Sequence, residues 1–384
     1  MKIPFNNPYL TGKEIHYMNQ AVRQGHLSGN GYFTKKCQHY LEERYGFRKC
    51  LLTTSGTDAL EMCAMLCNLQ SGDEVIMPSY TFVSTALAFL REGARVVFAD
   101  SMKCNPNIDA DAIEALVTPR TRVIVPVHYA GVACDMDAIM AIAERHNLIV
   151  VEDAAQAIDS YFISRKSNVE SQKPLGGIGH LAAFSFHETK NVTAGGEGGL
   201  LVVNDERFVR RAEILWEKGT NRAEFFRGEV NKYGWVDMGS SFLPAELNAA
   251  FLWAQLECLD TIQLRRKHIW NRYYELLKPH AAKGYFSLPH IPEYATNNAH
   301  MFYLILPDLE KRTALIQHLK DNDILAVFHY LSLHSSSYYA KKHDGRLLPE
   351  CDRYADTLAR LPMYNDLKIK EVEYICSRIV QFYE

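Results

Sequence analysis

Between residues 50 and 205 two hydrophobic rhythms alternate along the chain. Short runs that are apolar at consecutive positions, at 74–77, 95–98, 123–126, 148–151, 182–186 and 200–203, read as strands buried on both faces, as in a helix-covered, mostly parallel sheet. The stretches between them, 59–69, 84–92, 136–146 and 206–218, space their apolar residues by three and four, the period of a helix with one buried face. This alternation predicts an α/β fold with a three-layer α/β/α large domain. After Leu243-Pro244 the pattern turns helical, over 246–259 and 261–277. A smaller α+β unit follows, with strands at 300–306 and near 325–329 and helices at 311–322 and 371–382. An amphipathic helix over 11–24 is expected to pack back on one of these units. The division expected is a large domain over 1–260 and a small C-terminal domain over 261–384.

Composition narrows the class of partner. The 384 residues are 47% hydrophobic and 23% charged, enough apolar material for a well-buried core, and the formal charge of -3 lacks the basic excess that nucleic acid selects. No apolar run reaches the roughly 18 residues needed to span a bilayer, and the start Met1-Lys2-Ile3-Pro4 has no secretory apolar region, so a cytoplasmic protein with no membrane contact is expected. The nine cysteines form no C-x-x-C pair, which indicates neither a disulfide framework nor a metal site. Cys63 and Cys67, one helical turn apart among Leu, Met and Ala, read as small buried apolar residues. The expected partner is a small molecule.

Candidate chemistry collects where predicted strands end. Lys190 lies in a polar turn between two apolar strands, within Ser185-Phe186-His187-Glu188-Thr189-Lys190-Asn191 and just before Gly195-Gly196-Glu197-Gly198-Gly199. Most such lysines are solvated. Asp153, ending the run Val150-Val151-Glu152-Asp153, changes the reading, because a lysine amine with a strand-end aspartate suits pyridoxal 5'-phosphate, an aldehyde with a protonatable ring nitrogen. Taken alone, Asp153 is a helix cap as readily as a cofactor partner. Thr54-Ser55-Gly56-Thr57-Asp58 opens a helix after an apolar segment and offers a phosphate site at that helix start, to which Ser185 can add a hydroxyl. Phe82 follows a strand and either stacks on the ring or belongs to the core.

The order Gly56, Phe82, Asp153, Lys190, together with Glu152-Asp153-Ala154-Ala155-Gln156, the run from Gly72 to Thr85, Pro126-Val127-His128-Tyr129, Glu217-Lys218-Gly219-Thr220-Asn221-Arg222 and Phe328-His329-Tyr330, resembles the DegT/DnrJ/StrS sugar-nucleotide aminotransferases over nearly the whole chain. The resemblance implies an aspartate-aminotransferase-like (type I) fold and a homodimer with active sites at the subunit interface. By it, Lys190 carries the cofactor, Asp153 pairs with its ring nitrogen, Gln156 lies near the ring, Phe82 stacks, and Ser55, Gly56, Thr57 and Ser185 hold the phosphate. His329, Tyr330, Asn221 and Arg222 become candidate substrate contacts, although His329, like His187, can equally be structural. Glutamate is the implied amino donor and a dTDP-4-keto-6-deoxyhexose the acceptor, with amination at C3 or C4 left open. Where many relatives carry Asn-Tyr-Arg, with the Asn reaching the partner's cofactor phosphate, this chain has Ser241-Phe242-Leu243, so Ser241 stands at the cross-subunit position. The segments 163–174 and 333–350 depart from the family pattern, and 333–350 is a candidate wall of the sugar pocket. Sugar dehydratases of similar sequence carry histidine at the lysine position, and Lys190 argues against that activity. A non-catalytic binding protein on the same fold is the rival of another class.

Overall fold

The computed structural model describes residues 2–164 and 171–384. Its main sheet has seven strands, β1 (Lys49–Thr53), β2 (Glu74–Pro78), β3 (Arg95–Ala99), β4 (Thr121–Ile124), β5 (Ile149–Asp153), β8 (Leu181–Ser185) and β9 (Gly199–Val203), in the spatial order β1-β9-β8-β5-β4-β2-β3. β6 (Tyr161–Ser164) and β7 (Ser171–Pro174) pair antiparallel as a separate two-stranded sheet that overlaps the divergent segment 163–174, of which 165–170 fall outside the described residues. β9 pairs antiparallel with both β1 and β8; the pairings among β2, β3, β4, β5 and β8 are all parallel. The sequence marks β1 only as an apolar segment before Thr54, and β4 stops before Pro126, which has no N–H to give a ladder.

Side chains alternate faces along each strand, and both faces are covered. Cys50, Leu52, Val150, Leu200 and Val202 enter one buried cluster with helix α2 (Tyr32–Tyr45) and the helices Met136–His146 and Glu246–Leu256. Leu51, Val151, Leu201 and Val203 enter the other, with α3 (Gly56–Leu66), α4 (Val83–Arg91) and the helix Glu206–Trp216. This is the expected three-layer arrangement. Helix α1 (Glu14–Gln24) packs on the helix Glu246–Leu256 and starts three residues later than its pattern suggests, because the Glu14 carboxylate accepts from the N–H groups of Thr11 and Gly12 at 2.7 and 2.9 Å.

Helix α2 was not anticipated from the sequence. It buries polar Thr34 and Gln38 beside Phe33, Cys37 and Leu41, and it begins at Gly31 with no side-chain cap of its own. The cap comes from far away in sequence. The buried Glu246 carboxylate accepts from the N–H groups of Gly31, Phe33 and Thr34 at 2.9, 2.7 and 3.1 Å and from the Thr34 hydroxyl. Such charge-assisted bonds satisfy the donors that a helix start otherwise leaves bare. A Cβ on Gly31 would come within 2.5 Å of the Glu246 side chain, so only glycine admits the carboxylate this closely.

The chain leaves the main sheet along the helix Leu259–Ala281 and forms a second antiparallel sheet of β10 (Phe302–Ile305), β11 (Val327–Phe328) and β12 (Leu358–Leu361), in the order β10-β12-β11. The central strand β12 and the helix Pro349–Thr357 before it were not anticipated. Ile3 reaches across to this unit, its N–H donating to the Asp323 carbonyl at 2.8 Å, and packs with Ile269, Leu315 and Ile375. No helix among the described residues is long and apolar enough to cross a membrane.

Candidate functional site

A cavity of about 520 Å³ opens where β1, β2, β4, β5 and β8 end at their carboxyl edges, the place where ligands settle in open α/β sheets. The structure brings together here Ser55, Gly56, Thr57, Phe82, Asp153, Gln156, Ser185 and Lys190 from the large sheet with His329 and Tyr330 from the small one. Asn221, Arg222 and Ser241 do not line it. They follow the helix Glu206–Trp216 on a loop that pairs with itself through the bridges Glu217–Ser241 and Thr220–Trp235. Asn221 there accepts from the Gly234 N–H at 2.9 Å, and Arg222 faces Glu217 at 3.7 Å. The segment 333–350 also lies outside the lining. It is tied to the β2–β3 edge, with the Tyr339 hydroxyl on the Val96 carbonyl, Arg346 on the Phe98 carbonyl and His334 on Ser79.

Asp153 is buried at the end of β5. One carboxylate oxygen accepts from the Thr85 hydroxyl at 2.7 Å and the other from the Ala155 N–H at 3.1 Å. Burial raises its pKa, and these donors, with the nearby Lys190 and His128, offset only part of that. Lys190 lies in the turn between β8 and β9, its N–H donating to the His187 carbonyl at 2.9 Å. Burial lowers the pKa of its amine to about 8, Asp153 opposing the shift and Arg360 adding to it.

At the other end of the cavity, Ser55 caps α3 by accepting from the Asp58 N–H at 3.0 Å, and the Thr57 hydroxyl lies 2.8 Å from that of Ser84. Gly56 packs so tightly on Ser185 that an added Cβ would fall 2.8 Å from the serine Cβ. The wall beyond is aromatic. Phe82 is exposed to the cavity with its ring 6.0 Å from Tyr330, and the Gln156 amide donates to the Tyr330 hydroxyl at 3.2 Å while accepting from the Ala130 N–H at 2.6 Å. Ala130 and Tyr330 have φ of 57° and 58°, strained for residues with a Cβ and typical of chain held in place at a functional site.

Five residues of this lining that bear on its chemistry, Thr85, His128, Glu197, His300 and Arg360, have no role assigned from the sequence, although Thr85, His128 and Glu197 fall within its motifs. His128 is fixed from both sides, its Nδ1 accepting from the Cys134 N–H at 3.2 Å and its Nε2 donating to Glu152 at 2.9 Å. Glu152 in turn accepts from the N–H groups of Gly176, Ile178 and Gly179 at 2.8, 2.8 and 2.6 Å, which locks the turn before β8. The polar pair Glu152-Asp153 at the end of an apolar strand, followed by the glycines at 176, 177 and 179, was the available signal for Glu152.

Residues 8–380 match the model of the DegT/DnrJ/EryC1/StrS aminotransferase family. The chain belongs to that family. It is accordingly a pyridoxal-phosphate-dependent sugar aminotransferase of fold type I. Among curated proteins it is 31% identical over 389 residues to the spore coat polysaccharide biosynthesis protein SpsC of Bacillus subtilis (strain 168), covering 98% of this chain and 96% of that one. Among solved structures, DesV of S. venezuelae is 27% identical with a TM-score of 0.88, covering 100% of this chain and 99% of its own. Spr1654 from Streptococcus pneumoniae in its PLP-form is 25% identical with a TM-score of 0.88, covering 100% and 98%.

The lining of this aminotransferase suits its cofactor on three counts. The start of α3 has N–H groups and hydroxyls for a phosphate, with no Cβ at Gly56 to hold the ligand off. Asp153 is a buried carboxylate whose hydrogen bonds come from a hydroxyl and a backbone N–H, and its raised pKa shows that its surroundings offset its burial only in part. Lys190 has an amine that burial keeps easily deprotonated, as attachment to an aldehyde requires.

Proposed function

We propose that this aminotransferase moves the amino group of glutamate to a dTDP-4-keto-6-deoxyhexose, giving dTDP-4-amino-4,6-dideoxygalactose or an epimer for surface polysaccharide synthesis in the cytoplasm. The observation that carries the reading is the presence of Lys190 and Asp153 in one cavity, each with its proton affinity displaced by burial. The likeness to a polysaccharide biosynthesis protein over 98% of the chain supports the pathway class. Amination at C3 instead of C4 is the second reading within this class.

In this reading the amide edge Ser55–Thr57 and the hydroxyls of Thr57 and Ser185 would hold the cofactor's phosphate, and Phe82 and Gln156 would contact its ring. The Asp153 carboxylate keeps a proton on the ring nitrogen. Pyridoxal phosphate, when bound, supplies an aldehyde that exchanges amines and a ring that takes up electrons from a broken C–H bond. Lys190 would be the residue that holds the aldehyde. Once displaced, its Nζ takes the proton from the donor's amino-bearing carbon and hands it on, a task its pKa of about 8 suits near neutral pH. The same groups work in reverse when the keto sugar takes the nitrogen. His329 and Tyr330, on the small unit, are the proposed contacts to the sugar.

We read the active form as a homodimer. The loop that holds Asn221, Arg222 and Ser241 exposes Phe226, Trp235 and Met238, apolar surface that a second copy would cover. That packing would carry the three polar residues toward the partner's cavity. Replacing Lys190 by alanine tests the catalytic assignment, and NMR of the amino sugar product settles C3 against C4. Near-normal turnover by the Lys190→Ala protein would sink the assignment.

A further inference from the structure

The turn between β8 and β9, residues 186–198, carries Lys190 and has no strand or helix of its own. One buried side chain next to the lysine fastens it. The Asn191 Nδ2 donates to Gln263 Oε1 at 2.8 Å and to the Asn298 carbonyl at 3.0 Å, while its Oδ1 lies 2.8 Å from His300 Nδ1. A backbone carbonyl can only accept, which fixes the Asn191 amide in this orientation and makes His300 Nδ1 the donor. His300 is held from behind as well. Its N–H donates to Asn298 Oδ1 at 3.0 Å, and its carbonyl accepts from Arg266 Nη2 at 2.7 Å. Ala299, between them, has φ of 53°, strained for a residue with a Cβ, and its carbonyl accepts from Arg266 Nε at 3.1 Å. Asn191, Gln263, Asn298 and His300 are all buried, and a satisfied polar network in a dry interior is rigid.

This network joins parts of the chain that meet only here. Asn191 belongs to the turn of the main sheet, Gln263 and Arg266 to the helix Leu259–Ala281 that leaves it, and residues 298–300 to the stretch that enters β10. His300 and Lys190 line the same cavity. A lysine amine hangs on a flexible four-carbon stem, so its place is set by how firmly its own stretch of backbone is held. Along the turn Lys190 has its N–H on the His187 carbonyl, and just downstream the Asn191 side chain supplies the hold. We propose that His300, acting through Asn191, is a positioning residue that pins the lysine-bearing turn to the chain entering the small sheet and so fixes where the Lys190 amine stands in the cavity. This inference rests on the reading of Lys190 as the group that holds the cofactor and moves the proton.

The test uses His300→Leu, which removes the donor to Asn191, and His300→Asn, whose Nδ2 can donate from the place of the imidazole Nδ1. Each is first shown by circular dichroism and thermal melting to be folded. Competitive labelling of the cofactor-free full chain with acetic anhydride across pH, read by mass spectrometry on the Lys190 peptide, reports the proton affinity of that one amine. Burial holds His300 neutral, so its loss removes no charge, and the charged groups that act on Lys190, Asp153 on β5, Arg360 on β12 and Glu197 in the same turn, remain in both variants. A shift therefore reports the position and burial of the amine. In His300→Leu the Lys190 amine should titrate about one pH unit or more above its value of about 8, which near neutral pH leaves about a tenth of the free amine. The half-reactions of the loaded enzyme with glutamate and with the keto sugar should both slow by about that factor, because Lys190 serves both. His300→Asn should restore most of each. An unchanged Lys190 titration in folded His300→Leu, a loss confined to one half-reaction, or a His300→Asn protein no better than His300→Leu would overturn the proposal. Should His300→Leu not fold, Asn191→Ala, which removes the same bond from its other end, is labelled instead, and an unchanged titration there would count equally against it. A wild-type enzyme indifferent to glutamate would refute the donor reading, while the labelling would still judge His300.

Discussion

Replacing Asp153 by asparagine separates what this carboxylate does for the fold from what it does for the chemistry. In the cofactor-free protein its pKa is raised, chiefly by burial. An acid raised in the folded state adds stability below its unfolded pKa and loses that contribution as pH climbs through the folded value, so at pH 7 the ionised side chain stands at a cost. Asparagine is nearly isosteric and can keep both bonds. Its carbonyl would accept from the Ala155 N–H and its amide would donate to Thr85, whose hydroxyl can turn to Thr81, 2.9 Å away. The cofactor-free Asp153→Asn protein should therefore melt no lower than wild type. For an assumed separation of about 4 Å between the carboxylate and a protonated ring nitrogen, at an effective dielectric of about 20, the attraction lost would be about 4 kcal/mol. At 1.36 kcal/mol per decade this is about a thousandfold in holding the proton, and hence in the rate of C–H cleavage that the protonated ring assists. Thermal melts with and without cofactor, paired with stopped-flow measurement of the glutamate half-reaction, read both quantities. A half-reaction within tenfold of wild type would refute the role given to Asp153, and a lower melting temperature without cofactor would refute the account of its burial.

Other expectations follow from the same geometry. Because the Lys190 amine has a pKa of about 8, the cofactor-free protein should gain stability from this group as pH rises from about 8 toward the ordinary lysine value, where only the unfolded chain still holds the proton. Lys190→Met should remove that slope in pH-dependent melts, and an unchanged slope would mean that another group causes it. Gly56→Ala, which forces a Cβ to within 2.8 Å of Ser185, should weaken cofactor binding about tenfold or more by prising the α3 start off β8, read by fluorescence titration. Affinity equal to wild type would remove the phosphate from that position. Glu246→Ala, which strips the N–H groups of Gly31, Phe33 and Thr34 of their acceptor, should cost about 3 kcal/mol or more in urea unfolding. A loss under about 1 kcal/mol would show that water replaces the carboxylate.

The residues that were legible in the sequence are those whose position is announced by a strand ending. Asp153 closes β5, Gly56 follows β1, and Lys190 fills the turn between β8 and β9, so hydrophobic runs with polar punctuation located them. Arg360 escaped because nothing local marks it. It lies inside Leu358–Leu361, a strand of four residues defined by pairing to β10 and β11 rather than by its own pattern. Helix α2 escaped because its buried face includes Thr34 and Gln38, whose polar groups are matched by Glu246 and by the Leu52 N–H, partners that no periodicity reveals. The loop with Asn221, Arg222 and Ser241 shows the opposite failing. A motif attached these residues to the site, but within one chain they stay outside the cavity.

In the proposed reaction Lys190 holds pyridoxal phosphate in a cavity that passes an amino group from glutamate to a keto sugar. Its most direct test is the visible absorbance of the purified protein with pyridoxal phosphate, followed as glutamate and then a dTDP-4-keto-6-deoxyhexose are added. The expected result is a band from the lysine-bound cofactor that bleaches with glutamate and returns with the sugar, and that never forms in Lys190→Ala. A wild-type band that ignores glutamate, or one that persists without Lys190, would contradict it.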